Sequence, residues 1–297
     1  MKHTILDFEL SSNQYILSQE PHRLGWLMPS KPDEPLPILL EQYREQGYLW
    51  LKGILDREAV LAFRKRYFEA FVDSGLLVDG SEPVEGLYSG RGKVGASKIL
   101  TQIVLSAAYE SFCLSSAIWQ FYEKFLGGAV YLHKRKLIRA TTYDDSCTGA
   151  HYDLTYLRAG TDRVHTSWIP IGDIPPDMGG LVYLEGSDQA GRLLEAEFSE
   201  KNTHLSPEER ISAYNKNMSQ TGWLTKDLPS LAERLDSRWL VADYEAGDMV
   251  IHSAYTIHAS TTNMRQQMRL STDIRYQLVN DAIDPRWKDH WAPDDNL

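Results

Sequence analysis

Arg269-Leu270-Ser271-Thr272-Asp273-Ile274-Arg275-Tyr276 alternates its side chains with a period of two, the mark of a β-strand with two unlike faces. Leu270, Thr272, Ile274 and Tyr276 share one face, and Arg269, Ser271, Asp273 and Arg275 share the other. Upstream, the same texture of short β-branched and aromatic runs cut by Gly, Pro and Asp begins at Ala129. It predicts further strands at Val130 to Thr142, Val164 to Ile171, Leu181 to Glu185 and Met249 to His252, with the last running from Arg269 to Leu278. A helical insertion interrupts them at about 190–240, where Ser206-Pro207-Glu208-Glu209 reads as a capped helix start.

The first third of the chain reads as helical. Pro32, Pro35 and Pro37 lead into a helix that stops at Gly47. A second helix starts at an Asp56 N-cap and carries Ala59, Phe63, Tyr67, Ala70 and Phe71 on one face, and a third spans Tyr109 to Leu126 before Gly127-Gly128. The expected architecture is mainly β with helices: a single domain over 1–297, in which a helical layer (1–128, with a loop at 84–98) packs on a β sandwich (129–278) and a tail (279–297) follows.

Composition narrows the function classes. Against 41 Asp+Glu stand 31 Lys+Arg, a net charge of −10 that repels a phosphate backbone, so no nucleic acid partner is expected. Cys113 and Cys147 are too few for a disulfide framework, which points to a reducing, cytoplasmic setting. Acids break the apolar start Met1 to Glu9, and no run approaches the roughly 18 apolar residues of a membrane span, so neither export nor a membrane partner is expected.

The chemistry-bearing residues are His151-Tyr152-Asp153 and, far downstream, His258. In an extended segment His151 and Asp153 point to one side, and a distant imidazole can complete a facial triad of two histidines and one carboxylate, the ligand set of non-haem Fe(II) oxygenases. Arg269 follows His258 by eleven positions, with Ser271 beside it on the same face. A guanidinium fork and a hydroxyl aimed into one cavity suit a carboxylate, and a dicarboxylate such as 2-oxoglutarate needs such an anchor.

These residues, with Thr166-Ser167-Trp168-Ile169-Pro170-Ile171, Gly179-Gly180-Leu181-Val182-Tyr183-Leu184-Glu185-Gly186-Ser187 and Gly247-Asp248-Met249-Val250-Ile251-His252, resemble the phytanoyl-CoA dioxygenase family over about residues 38–278. The resemblance implies a double-stranded β-helix, a cupin-like jelly roll. It implies Fe(II) on His151, Asp153 and His258, and Arg269 pairing with the far carboxylate of 2-oxoglutarate, with Ser271 matching an Arg-x-Ser pattern. It further implies that O2 and 2-oxoglutarate are consumed, that succinate and CO2 are released, and that a small or medium organic molecule is oxidised, by hydroxylation foremost. Glu185-Gly186-Ser187-Asp188 departs from the family's usual Pro-Gly-Ser-His and reads as a loop variation. Because Asp153 is present, no ligand position is vacated for a halide, which argues against halogenation.

Rival readings attach to several residues. His252 competes with His258, whose spacing to Arg269 matches the family. Trp168 is either a floor for the cosubstrate pocket or a core ring. Ser89-Gly90-Arg91-Gly92-Lys93-Val94 lacks the spacing and hydroxyl of a phosphate loop and reads as a lid-like loop. Lys134, Lys136 and Arg139 alternate with apolar neighbours and read either as including an inward carboxylate contact or, foremost, as a solvated strand edge. The tail, with Trp287 and Trp291, is expected to pack over the barrel mouth or on a second subunit of a homodimer. Two other functions use the same ligands: a zinc hydrolase or isomerase, which gives Arg269 no task, and a non-catalytic 2-oxoglutarate sensor.

Overall fold

The computed structural model describes residues 5–92, 98–143, 146–206, 209 and 222–290. Thirteen strands and eight helices are defined among them. The strands are β1 (Ser11–Ser12), β2 (Tyr15–Ile16), β3 (Leu24–Trp26), β4 (Pro29–Ser30), β5 (Tyr48–Leu51), β6 (Val130–Leu132) and β7 (Leu137–Thr141). They continue with β8 (His165–Pro170), β9 (Leu181–Leu184), β10 (Trp239–Val241), β11 (Met249–Ser253), β12 (His258–Ser260) and β13 (Arg269–Leu278). The helices are α1 (Leu36–Gln46), α2 (Arg57–Glu69), α3 (Lys98–Val104), α4 (Ala107–Cys113), α5 (Ser116–Leu126), α6 (Leu154–Leu157), α7 (Ser187–Lys201) and α8 (Leu228–Arg234).

Two sheets form the core. The larger runs β4-β5-β11-β8-β13-β6, with β7 also on β13, and the smaller runs β12-β9-β10-β3. They are the two sheets of a double-stranded β-helix. Strand parity sorts the side chains into three layers. Leu270, Ile274 and Tyr276 of β13, Met249 and Ile251 of β11 and Ile169 of β8 pack outward against the helical layer, joined by Phe63, Tyr67, Tyr109, Ile118 and Tyr122. Their alternates Trp168, Val250, Tyr183 and Tyr48 pack between the sheets. Val182, Leu184 and Ala259 turn to the far side of the smaller sheet, under Leu228, Leu231 and Trp287. Each such large apolar side chain removed from water contributes roughly 1.5–3 kcal/mol.

The signals at helix ends act as read, whereas the stripe expected on α2 is shifted: Phe63, Tyr67 and Phe71 are buried, but Ala59 and Ala70 are exposed and Val60, Arg64 and Phe68 take the inner side. Asp56 Oδ1 accepts from Ala59 N at 2.8 Å, and Gly47 and Gly127 close α1 and α5 in the left-handed conformation. Ser206 and Glu209 form a reciprocal cap. The single helix expected over Tyr109 to Leu126 is instead α4 and α5, because Ser115 adopts an extended backbone (φ −52°, ψ 141°). Both pieces bury the same side, through Tyr109 and Cys113 and then Ile118, Tyr122 and Phe125, so the apolar rhythm runs on across the break.

The strand expected over Val130 to Thr142 is likewise two, separated by a connection in which His133 N donates to Arg275 O. The loop at 84–98 is tied down in its first part: Leu87 bridges Gln267, Tyr88 bridges Leu77, and Met268 N donates to Gly86 O. Residues 93–97 lie outside the described residues. So do Pro207 and Glu208 of the capped helix start.

Beneath this loop, Arg64 of α2 is buried and donates to four carbonyls, those of Val84, Ile171, Glu85 and Met268, at 2.6–3.1 Å. Burial lowers its pKa to about 10, so it stays charged at neutral pH. The guanidinium thereby ties the ends of β8 and β13 to the helical layer.

Candidate active site

His258 lies on β12, where it pairs with Tyr183 of β9. Its other backbone edge is taken by His151: His151 N donates to His258 O at 3.1 Å and His258 N to His151 O at 3.0 Å. Residues paired in this way project their side chains to the same face, and the two rings lie 4.3 Å apart. Tyr152 turns the opposite way, and its hydroxyl donates to buried Glu195. Asp153 then returns to the side of His151 at the head of α6. Atoms of His151, Asp153 and His258 that could bind a metal lie within 4.8 Å of one another, and all three residues are buried.

The hydrogen bonds select the form of each group. Nδ1 of His151 donates to Gly149 O at 2.9 Å, and Nδ1 of His258 to Thr256 O at 3.0 Å, in each case a carbonyl two residues upstream. A carbonyl only accepts, so Nδ1 carries the proton and Nε2 keeps its lone pair. Both Nε2 atoms face Asp153 Oδ1, at 3.7 and 3.8 Å. Burial holds both imidazoles below the usual histidine range, and the neighbouring His151 and His252 push His258 down further. The Asp153 carboxyl resists its own burial and is held well below the usual range, chiefly by the Arg275 guanidinium. Two neutral imidazoles and one carboxylate converging on one point are a donor set that fits a divalent transition metal.

Asp153 Oδ2 faces away from this point. It accepts from the Thr166 hydroxyl and from Arg275 Nη2 (3.2 Å), with His252 Nε2 at 3.4 Å. His252 is therefore a neighbour of the carboxylate, and its Nδ1 meets the Tyr183 hydroxyl at 3.2 Å.

Arg269, Ser271, Asp273 and Arg275 all turn inward, as strand parity demands. Arg269 Nη2 and Nε donate to the Thr141 hydroxyl of β7 at 2.7 and 3.2 Å, and Nη1 donates to Ser271 Oγ at 3.3 Å. Trp168 shares the inner face with Thr166, is fully buried, and packs on Tyr244 with ring centres 4.6 Å apart.

The expected solvated edge divides. Lys134 is exposed, but Lys136 is fully buried, because its ammonium is paired with Glu110 of α4. Arg139 is exposed, yet it pairs in register with Ser271 and so shares the inner face; its Nε lies 3.3 Å from Asp273 Oδ2. The departure at 185–188 also has a structural task. Ser187 Oγ accepts from Ile257 N at 2.9 Å, and Asp188 accepts from Ser253 Oγ, so the first turn of α7, where a loop is expected from sequence, holds the segment that delivers His258.

Sequence reading assigned no role to Thr166, Thr141 or Arg275. Parity marked Arg275 and Thr166 as companions of Arg269 and Trp168, and nothing local marked their common target, Asp153.

The family model for phytanoyl-CoA dioxygenase (PhyH) matches residues 43–271. The 1-deoxypentalenic acid 11-beta-hydroxylase of Streptomyces exfoliatus is 24% identical over 249 residues, covering 79% of this chain and 78% of that protein. Among solved structures, the epimerase SnoN from nogalamycin biosynthesis, with Fe3+, alpha ketoglutarate and nogalamycin RO, gives a TM-score of 0.55 at 21% identity, over 84% of this chain and 86% of that one. EctD from S. alaskensis, with 2-oxoglutarate and 5-hydroxyectoine, gives 0.56 at 11% identity, over 100% and 96%. The family match spans the His-x-Asp turn, Thr166 of the larger sheet, His258 and Arg269, and takes in most of the chain, which on that ground belongs to the phytanoyl-CoA dioxygenase family.

Proposed function

We propose that this iron(II)- and 2-oxoglutarate-dependent dioxygenase hydroxylates a C–H bond of a small or medium natural-product molecule. His151, Asp153 and His258 hold the metal, and Arg269 with Ser271 holds the far carboxylate of the cosubstrate. The observation that carries this reading is the convergence of two Nε2 lone pairs and one carboxylate oxygen in a buried site, with a buried arginine on the adjoining inner face. Iron(II) bound there supplies O2 activation coupled to decarboxylation of 2-oxoglutarate to succinate and CO2.

The chain's own part is positional. The Nδ1 bonds aim the imidazoles, and Thr166 and Arg275 occupy the outer oxygen of Asp153 so that the inner one stays free. Arg269, braced by Thr141, offers a fixed cation to a dicarboxylate. Exposed Arg139 places a second cation on the same face, suited to an acidic group on the substrate. The kinship with an enzyme named for an acid, 1-deoxypentalenic acid, supports that assignment. The zinc hydrolase reading leaves Arg269 without a task. Both free cysteines fit a cytoplasmic setting.

Anaerobic addition of Fe(II) and 2-oxoglutarate is expected to produce the weak visible charge-transfer band of the chelated cosubstrate. His151→Ala and Asp153→Ala are expected to abolish it. A full-strength band in either variant overturns the ligand assignment.

A further inference from the structure

Two lines of contact run from the C-terminal segment to Asp153. The first passes through Trp287, which is 4% exposed and belongs to the buried cluster beneath the smaller sheet. The Arg275 guanidinium carbon sits 4.3 Å from the centre of its ring, and Arg275 Nη2 reaches Asp153 Oδ2. Arg275 is itself buried, and its Nε and Nη1 have no hydrogen-bond partner. Stacking on the indole is thus what compensates much of this cation besides the carboxylate.

The second line passes through the backbone just beyond Asp153. Trp287 Nε1 and Arg286 Nη2 both donate to Tyr156 O, at 2.9 and 2.7 Å. Asp284 Oδ2 accepts from Ala159 N at 3.1 Å, and Thr161 N donates to Ala282 O at 2.8 Å. The approach is closest at Gly160, where a Cβ would lie 2.6 Å from Asp284 N and 3.0 Å from Ala282 O. That position accepts only glycine while the tail is seated.

We propose that residues 282–287 are a brace of the metal centre, with Arg275 a positioning residue for Asp153 and Trp287 the plate that holds Arg275. The inference rests on Asp153 being a metal ligand. The brace fixes the outer carboxylate oxygen and the turn that carries it, so the inner oxygen meets the metal without reorganisation. Outer partners of ligating carboxylates commonly change metal affinity about 10–100-fold.

The test is titration of the metal-free full chain with Co(II), read by its visible absorption and by calorimetry, with thermal unfolding of the same metal-free samples. Trp287→Ala, Arg275→Met and Gly160→Ala are expected to bind Co(II) about tenfold or more weakly than wild type, and Trp287→Phe, which keeps a stacking face, to bind within about threefold. Gly160→Ala touches neither Arg275 nor Trp287 and acts only by unseating the tail, so it decides the matter if Arg275→Met fails to fold. Folded Trp287→Ala and Gly160→Ala proteins with wild-type Co(II) affinity and a lowered melting temperature overturn the brace, leaving a structural role only. Wild type that binds no Co(II) overturns the metal-site reading itself and the brace with it.

Discussion

His151 and His258 exchange both of their backbone hydrogen bonds, at 3.1 and 3.0 Å, although His151 lies outside both sheets and more than a hundred residues of chain separate the two. The pairing makes the spacing of the two imidazoles a property of the backbone. Their side chains are therefore free to serve chemistry without also holding the fold.

It follows that replacing either imidazole costs function and little stability. His258→Ala is expected to lower succinate formation by on the order of a hundredfold or more while the protein unfolds within a few degrees of wild type. Paired turnover and melting measurements check this; a collapse of the fold in parallel with activity would show that the side chains carry the pairing.

As the proposed anchor of 2-oxoglutarate, Arg269 would act through its charge and its fork. Arg269→Gln is expected to raise KM for 2-oxoglutarate about 10–100-fold, the loss of roughly 1.5–3 kcal/mol from a charged hydrogen bond. Steady-state kinetics at varied 2-oxoglutarate reads this, and an unchanged KM rules the anchor out. Arg139→Gln, by contrast, is expected to raise KM for an acidic substrate and leave that for 2-oxoglutarate within about threefold. A shift in the cosubstrate KM instead would relocate the two cations' tasks.

Arg64 satisfies four backbone carbonyls at once. Arg64→Met strands those acceptors and is expected to destabilise the fold by about 3 kcal/mol or more. Arg64→Lys recovers only part of this, because an ammonium lacks the fork. Urea unfolding of the three proteins checks the ranking.

His133 is buried against Trp287, with its Nε2 on Gln277 Oε1 at 2.7 Å and Arg275 nearby. Burial lowers its pKa to about 4, against about 6.5 in the unfolded chain. Between those values the unfolded state takes a proton that the folded state refuses, so stability falls as pH drops from about 6.5 towards 4. The loss from this one group is at most about 3 kcal/mol. His133→Asn should flatten that part of the stability profile, and an unchanged slope would assign it to other groups.

The sequence alone determined which residues share a face. A period of two placed Arg269, Ser271 and Arg275 together and Leu270, Ile274 and Tyr276 opposite them, since the pleat leaves a strand no other choice. It likewise placed Asp56 and Gly47 at helix ends and picked out His151 and Asp153, but the extended segment expected for them gives way to helical backbone at Asp153 (φ −68°, ψ −27°), which returns to the side of His151 by opening α6. Periodicity could not see the break at Ser115, because the helices on either side bury the same face. Only the tertiary structure decided what each inner-face group meets. Lys136 is buried because Glu110 arrives from another layer, His252 faces the outer oxygen of Asp153 while His258 faces the inner one, and Arg275 reaches Asp153 beside Trp287 of the C-terminal segment. Such meetings depend on how sheets, helices and tail are packed against one another, and a strand's own alternation carries no record of the partner across the cavity.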